Sequence, residues 1–215
     1  KNLLKALFVI ITKTDNSLTF RCGCKSGVCG SCAVRVNGVE KLACKTNIKD
    51  NDLIEAIKNT TIIKDLVVNV SHETLLIKKA KSYIDEIQEC EITHKDIKNI
   101  ELQSNCILCN SCYSSCPVYD LNKEFLGPFA LTRALRYIND KKTAHRANII
   151  DSIQLNGVWD CTLCSACTMV CPQNIDPKAD IMQLQNISVQ NGYTNSNIQT
   201  MDFSDDFGGF NPNGF

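Results

Sequence analysis

Of fourteen cysteines in 215 residues, thirteen fall into three tight groups, and their spacing constrains the fold more than any other feature of the chain. Cys22, Cys24, Cys29, Cys32 and Cys44 form the first group, Cys106, Cys109, Cys112 and Cys116 the second, and Cys161, Cys164, Cys167 and Cys171 the third. Cys90 stands alone. Cysteines three apart in C-x-x-C strings do not readily bridge one another, so a disulfide framework would need partners scattered through the chain. The pattern is that of metal ligands.

Cys24, Cys29 and Cys32, with Cys44 after eleven intervening residues, follow the plant-type [2Fe–2S] spacing C-x4-C-x2-C…C. Asn37-Gly38 between two alternating runs, 32–36 and 39–43, predicts a type I′ hairpin. Such a turn sets Val36 opposite Val39 and therefore Ser31 opposite Cys44, returning a fourth thiolate beside Cys32. Gly23, Gly27 and Gly30 let the loop backbone approach the sulfides closely. A zinc site usually takes two C-x2–4-C knuckles, and this group has a single one in a glycine loop. Cys22 would stretch the first gap to six residues and is read as a non-ligand neighbour.

The string C-x2-C-x2-C-x3-C-P occurs twice, at Cys106–Pro117 and Cys161–Pro172. This is the bacterial ferredoxin string, in which three cysteines bind one cubane and the fourth reaches the other. Cys106, Cys109, Cys112 and Cys171 are therefore expected to hold one [4Fe–4S] cluster, and Cys116, Cys161, Cys164 and Cys167 a second. Iron would be bound through these twelve cysteines alone. Cys22 and Cys90 remain, the latter read as a buried or spare thiol.

Nothing else catalytic accompanies the cysteines: the chain has no G-x-G-x-x-G, P-loop or G-x-S-x-G. His72, His94 and His145 stand in polar helical contexts and are read as surface residues. Three clusters imply an electron wire whose substrate chemistry belongs to a partner with another cofactor. Lys and Arg total 23, as do Asp and Glu, and this zero net charge argues against nucleic-acid binding and a polybasic membrane clamp. No apolar run approaches the ~18–20 residues of a membrane span.

Local patterns give an α+β order. Leu3, Leu4, Leu7, Ile10 and Ile11 mark an amphipathic helix within 1–14, Leu18–Phe20 a short strand, and Ile62–Val70 a strand-rich stretch. Ser71 is an expected N-cap, followed by a buried stripe of Leu76, Ala80, Tyr83, Ile84 and Ile87. Further helices are expected at Phe129–Asn139 after Pro128, within 142–155, and from Asp176-Pro177 to Asn191-Gly192. Beyond Tyr193 a polar tail carries Phe203, Phe207, Phe210 and Phe215.

Cys24-Lys-Ser-Gly-Val-Cys29-Gly-Ser-Cys32-Ala, Lys41-Leu-Ala-Cys44-Lys, Ile63-Lys-Asp-Leu66, Cys106-Ile-Leu-Cys109, Phe125-Leu-Gly-Pro128 and Gly157-Val-Trp-Asp-Cys161 together resemble the iron–sulfur subunit of the succinate dehydrogenase/fumarate reductase family. The resemblance covers nearly the whole chain. It implies an N-terminal β-grasp plant-type [2Fe–2S] ferredoxin domain over 1–72, a linker helix region over 73–100, an α-helical two-cluster bacterial-type ferredoxin domain over 101–192, and a flexible tail over 193–215. The family's opening β-hairpin has no counterpart before the first helix, so a fragment lacking its N-terminus is expected. Implied partners are an FAD-containing flavoprotein subunit that interconverts succinate and fumarate, a membrane-anchor or cysteine-rich subunit, and quinone or menaquinone. The implied location is peripheral on the inner or cytoplasmic membrane, by default on its cytoplasmic side, although periplasmic relatives exist.

Two departures matter. Common members carry an aliphatic residue where this chain has Cys164, and their last cluster is [3Fe–4S]; a fourth thiolate here implies [4Fe–4S], with [3Fe–4S] the alternative if Cys164 is not a ligand, and the branch with a cysteine-rich partner. The segment Pro117-Val-Tyr-Asp-Leu-Asn122 lacks the tryptophan some members offer to the quinone, and Thr162 replaces a histidine, so the usual quinone-site residues are not carried over. The repeated strings by themselves also suit an electron-transfer subunit of another flavoprotein system, such as a glycolate-oxidase, heterodisulfide-reductase or thiol-linked fumarate-reductase type.

Overall fold

The computed structural model describes residues 1–195; Phe203, Phe207, Phe210 and Phe215 lie outside them. The chain opens with α1 (Leu3–Lys13), N-capped by Asn2, whose side chain accepts from the Lys5 amide. Leu3, Leu4 and Leu7 form its buried stripe, and they pack against Val34, Val36 and Leu42 of the next two strands.

Those strands are β1 (Ala33–Val36) and β2 (Val39–Leu42), antiparallel, with Val36 opposite Val39 and Ala33 opposite Leu42. Asn37 and Gly38 have φ of 50° and 81°, the left-handed pair a type I′ turn requires. Beyond the ladder the Ala43 amide donates to Cys32 O at 3.0 Å, so the pairing carries on to the cysteines. A short β3 (Ile54–Glu55), not foreseen from sequence, pairs with the other edge of β1. The strand-rich run 62–70 becomes a second small hairpin of β4 (Ile62–Lys64) and β5 (Val67–Val68), turning at Asp65 with φ 48°.

Leu18–Phe20 forms no strand. The Thr19 amide is taken by the Asp65 carboxylate at 2.7 Å, and only Thr19 O receives a backbone bond, from Leu66. A side chain has replaced the ladder partner.

The rest of the described chain is helical: α2 (His72–Lys79), α3 (His94–Ser104), α4 (Ser111–Ser114), α5 (Pro117–Leu121), α6 (Gly127–Asn139), α7 (Arg146–Ser152), α8 (Ala166–Met169) and α9 (Pro177–Gln190). The central helix α6 touches α2, α3, α4, α7 and α9. Its Phe129, Leu131 and Leu135 meet Ile153, Val158, Ile181 and Leu184 in the larger core, each fully buried large side chain contributing roughly 1.5–3 kcal/mol. Asp176 caps α9 by accepting from the Ala179 amide, with Pro177 in the first turn.

The stripe expected after Ser71 is shorter than its pattern. Leu76 and Ala80 are buried, whereas Tyr83 and Ile87 are exposed. Helix α2 stops because Lys81 turns left-handed at φ 43°, and residues 86–88 then run alongside 142–144: Gln88 N donates to Lys142 O and Ala144 N to Glu86 O. Ser71 makes no side-chain cap bond.

Candidate metal centres

None of the fourteen cysteines forms a disulfide. Loop 22–32 wraps its own sulfurs with amides. Ser26 N and Val28 N donate to Cys24 Sγ at 3.4 and 3.3 Å, and Cys24 N to Cys29 Sγ at 3.4 Å. The Ser26 side chain foremost, then the Ser26 and Val28 amides, pull the exposed Cys24 thiol down to about 5. Cys32, buried beneath the loop, is pushed up to about 11, chiefly by burial and further by Cys44 and Cys29 beside it. The hairpin thus brings Cys44 to Cys32, as its register demands.

The repeated strings fold alike. Leu108 and Asn110 have φ of 52° and 63°, and the equivalent Leu163 and Ser165 have 54° and 68°. A leucine at positive φ is costly and persists where the surroundings dictate it. Here each left-handed pair curls the C-x2-C-x2 segment so that the next thiol can sit at the start of a short helix, α4 or α8. Leu163 N points at Cys161 Sγ at 3.4 Å.

Cys106, Cys109, Cys112 and Cys171 line one apolar cavity with Ile107, Phe129 and Ile175. Burial is the largest cause of the upward shift of each of the first three thiols. Cys106 is pushed to about 11, with Cys109 and Cys171 adding repulsion. In the third set Cys167 is pushed to about 12 by burial first, then by Cys161, Cys116 and Cys164. The sets adjoin, since Cys112 also feels Cys167. Thiolates crowded and buried in this way need metal cations to balance them, and a soft all-sulfur donor set suits iron–sulfur clusters. Among the described residues no three Cys, His, Asp or Glu side chains converge as the ligands of a single ion do; in a cubane each thiolate takes its own iron.

The first two sets lie against one another. Gly30, at φ 72°, sits on the Cys106–Cys109 segment so closely that a Cβ there would lie 2.7 Å from Ile107 O and 2.9 Å from Cys109 Cβ. Gln173 Nε2 reaches back to Gly27 O at 2.9 Å. Cys22 and Cys90 are half-buried, and Cys22 packs with the smaller core.

Sequence reasoning missed two features here. His72, expected at the surface, is half-buried: its Nε2 lies 3.0 Å from Asn110 Oδ1 and its ring beside Tyr113 and Tyr119. Burial holds its pKa below the ordinary value. His94 and His145 are exposed as expected. The second feature is Glu40, which is 5% exposed inside the domain contact; no sequence signal marked either residue.

Residues 1–74 match the family model of the 2Fe-2S iron-sulfur cluster binding domain, and residues 102–175 that of the 4Fe-4S dicluster domain. Fold and matches define a mixed α+β iron–sulfur protein, with a [2Fe–2S] domain on small sheets followed by a helical domain for two further clusters. The fumarate reductase iron-sulfur subunit of Haemophilus influenzae is 37% identical over 203 residues, covering 85% of this chain and 79% of the relative. The 8-methylmenaquinol:fumarate reductase iron-sulfur subunit of Wolinella succinogenes is 32% identical, covering 89% of this chain and 65% of that protein. A chain of the Mycobacterium smegmatis Sdh1 complex shares the fold, with a TM-score of 0.77 at 21% identity over 90% of this chain and 87% of that one. The chain belongs to the iron–sulfur subunits of the fumarate reductase/succinate dehydrogenase family.

Proposed function

We propose that this subunit carries electrons between the flavin of a catalytic partner and quinone or quinol at a membrane-side partner, within a quinone-linked succinate dehydrogenase/fumarate reductase. The dicarboxylate site lies on the flavoprotein, and no residue of this chain is catalytic. The observation that carries the reading is the sorting of twelve cysteines into three adjoining sets. In this reading Cys24, Cys29, Cys32 and Cys44 hold [2Fe–2S], Cys106, Cys109, Cys112 and Cys171 hold [4Fe–4S], and Cys116, Cys161, Cys164 and Cys167 hold a second [4Fe–4S]. The clusters, when bound, supply reversible one-electron storage. The chain's residues fix them and solvate sulfurs of the first loop with amides.

The third set is the end that faces a membrane-side partner. Cys164 is exposed there, and Met169, between Cys167 and Cys171, is 84% exposed, an apolar surface of the kind an interface covers. Among the described residues no helix is long and apolar enough to cross a membrane. From the family, we place the subunit peripherally on the membrane, by default on its cytoplasmic side, with the periplasmic side as the alternative. The availability of Cys164 favours a cysteine-rich partner over a plain anchor. The Wolinella relative, whose name specifies 8-methylmenaquinol, makes a menaquinol-type quinone the first to try.

The test is spectroscopic. In the complex isolated with its flavoprotein, dithionite-reduced clusters should reoxidise when fumarate is added, and oxidised clusters should be partly reduced by succinate. Clusters indifferent to both dicarboxylates would overturn the reading in favour of another flavoprotein system.

A further inference from the structure

Strand β2 alternates exposed and buried positions, and at the buried position before Leu42 stands a carboxylate, Glu40. Its cross-strand partner is Arg35, also buried, whose Nε lies 3.3 Å from Glu40 Oε1. Arg35 spends its other nitrogens on Glu55 Oε2 at 3.2 Å and Gly38 O at 3.1 Å. The same Glu40 oxygen accepts from Ser114 Oγ at 2.6 Å. Ser114 lies on α4, between Cys112 and Cys116, and its Oγ also accepts from Lys58 N at 2.7 Å. Asn59 Nδ2 adds a bond to Tyr113 O at 2.8 Å.

A buried carboxylate is kept only where partners compensate it, and a well-packed apolar residue would serve stability as well or better. Both partners of Glu40 are specific: one belongs to the hairpin that carries Cys32 and Cys44, the other to the loop whose thiols serve both cubane sets. Glu40 and Arg35 are buried where the hairpin meets α4, whereas the Glu55 side chain, the second carboxylate on Arg35, is 41% exposed.

We propose that Glu40, acting through Ser114, is a positioning residue for electron passage, locking the [2Fe–2S] hairpin onto the loop between the two cubane sites and lowering the potentials of the neighbouring clusters by its buried charge. The lock acts by geometry, because electron passage depends on the separation that the two elements hold. The charge acts by electrostatics, because cluster potential follows net local charge and hydrogen bonding in a medium of low dielectric. The inference rests on the ligand sets proposed above.

The experiment uses the assembled complex, with iron and acid-labile sulfide measured first on wild type; a wild type without clusters counts against the ligand reading and not against Glu40. In Glu40→Gln the amide oxygen can still accept from Ser114, so the shape survives and the charge goes. The midpoint potentials of the [2Fe–2S] centre and its neighbour should both shift upward in EPR redox titration. In Ser114→Ala the tie goes and the charge stays: the magnetic interaction between the reduced [2Fe–2S] centre and its neighbour should weaken, and Ser114→Thr should restore it. Potentials unmoved in Glu40→Gln, or a wild-type interaction in Ser114→Ala, overturn the proposal. If Glu40→Gln does not assemble, the comparison of Ser114→Ala with Ser114→Thr decides alone.

Discussion

Cys164 is where a single side chain decides what the molecule holds. Its thiol is exposed and lies among Cys116, Cys161 and Cys167. Replacing it by valine is expected to convert the distal [4Fe–4S] cluster into [3Fe–4S], which is paramagnetic when oxidised. A strong EPR signal should therefore appear in air-oxidised Cys164→Val and be absent from undamaged wild type; the reverse result removes Cys164 from the ligand set. Asp180 tests burial instead of ligation. It is 5% exposed, accepts from Gln103 Nε2 and Thr132 Oγ1, each at 2.8 Å, and burial holds its carboxyl above the ordinary 3.8. Ionisation therefore comes at a lower pH in the unfolded chain than in the fold, and stability is lost as pH rises from 3.8 through the folded value. Asp180→Asn can keep both bonds, with the hydroxyl of Thr132 turned to accept. Its melting temperature should match or exceed that of wild type at pH 8, with the difference between the two shrinking as pH falls through the folded value toward 3.8. At this scale the grouping of the cysteines into three loops was legible because spacing is a local property of the chain. Glu40 and His72 were not, because their surroundings come from residues far away in sequence.

Elements were legible where one residue type dictates backbone geometry. Asp176-Pro177 announces the start of α9, and Asp176 Oδ1 accepts both the Ala179 amide at 3.1 Å and Thr168 Oγ1 at 2.6 Å. Asp176→Ala should cost about 1 kcal/mol in thermal or denaturant unfolding of the assembled protein. Those hydrogen bonds, the one from Thr168 foremost, hold the Asp176 carboxyl below 3.8, so its stabilisation is complete above that pH and drains as acid protonates it. Asn37-Gly38 likewise fixed a register that carries Cys44 to Cys32. Leu18–Phe20 misled, since apolar alternation says nothing about whether a ladder partner is free, and β3 is too short to leave a pattern. Gly30 shows how loops meet. A methyl group there is resisted by its φ of 72° and by the backbone of Ile107 and Cys109. Gly30→Ala should destabilise by more than about 1 kcal/mol and weaken the magnetic interaction between the first two clusters; wild-type values of both would show that the loops need no such approach.

For the whole molecule, two cores of different character are joined by contacts that run through the cysteine loops. The smaller, around Leu3, Leu7, Val34 and Leu42, supports the first loop; the larger, around α6, supports the two repeats. The division into a sheet-bearing and a helical half was readable from the two cysteine grammars. The way the halves meet, through Gly30, Gln173, Glu40 and Ser114, had no signature in sequence. The central claim is that three sets of four thiolates hold three clusters in one chain. Its most direct test is the iron and acid-labile sulfide content of anaerobically purified protein. About 10 irons and about 10 sulfides per chain are predicted for one [2Fe–2S] and two [4Fe–4S] clusters. Protein that holds metal but no acid-labile sulfide would contradict the account.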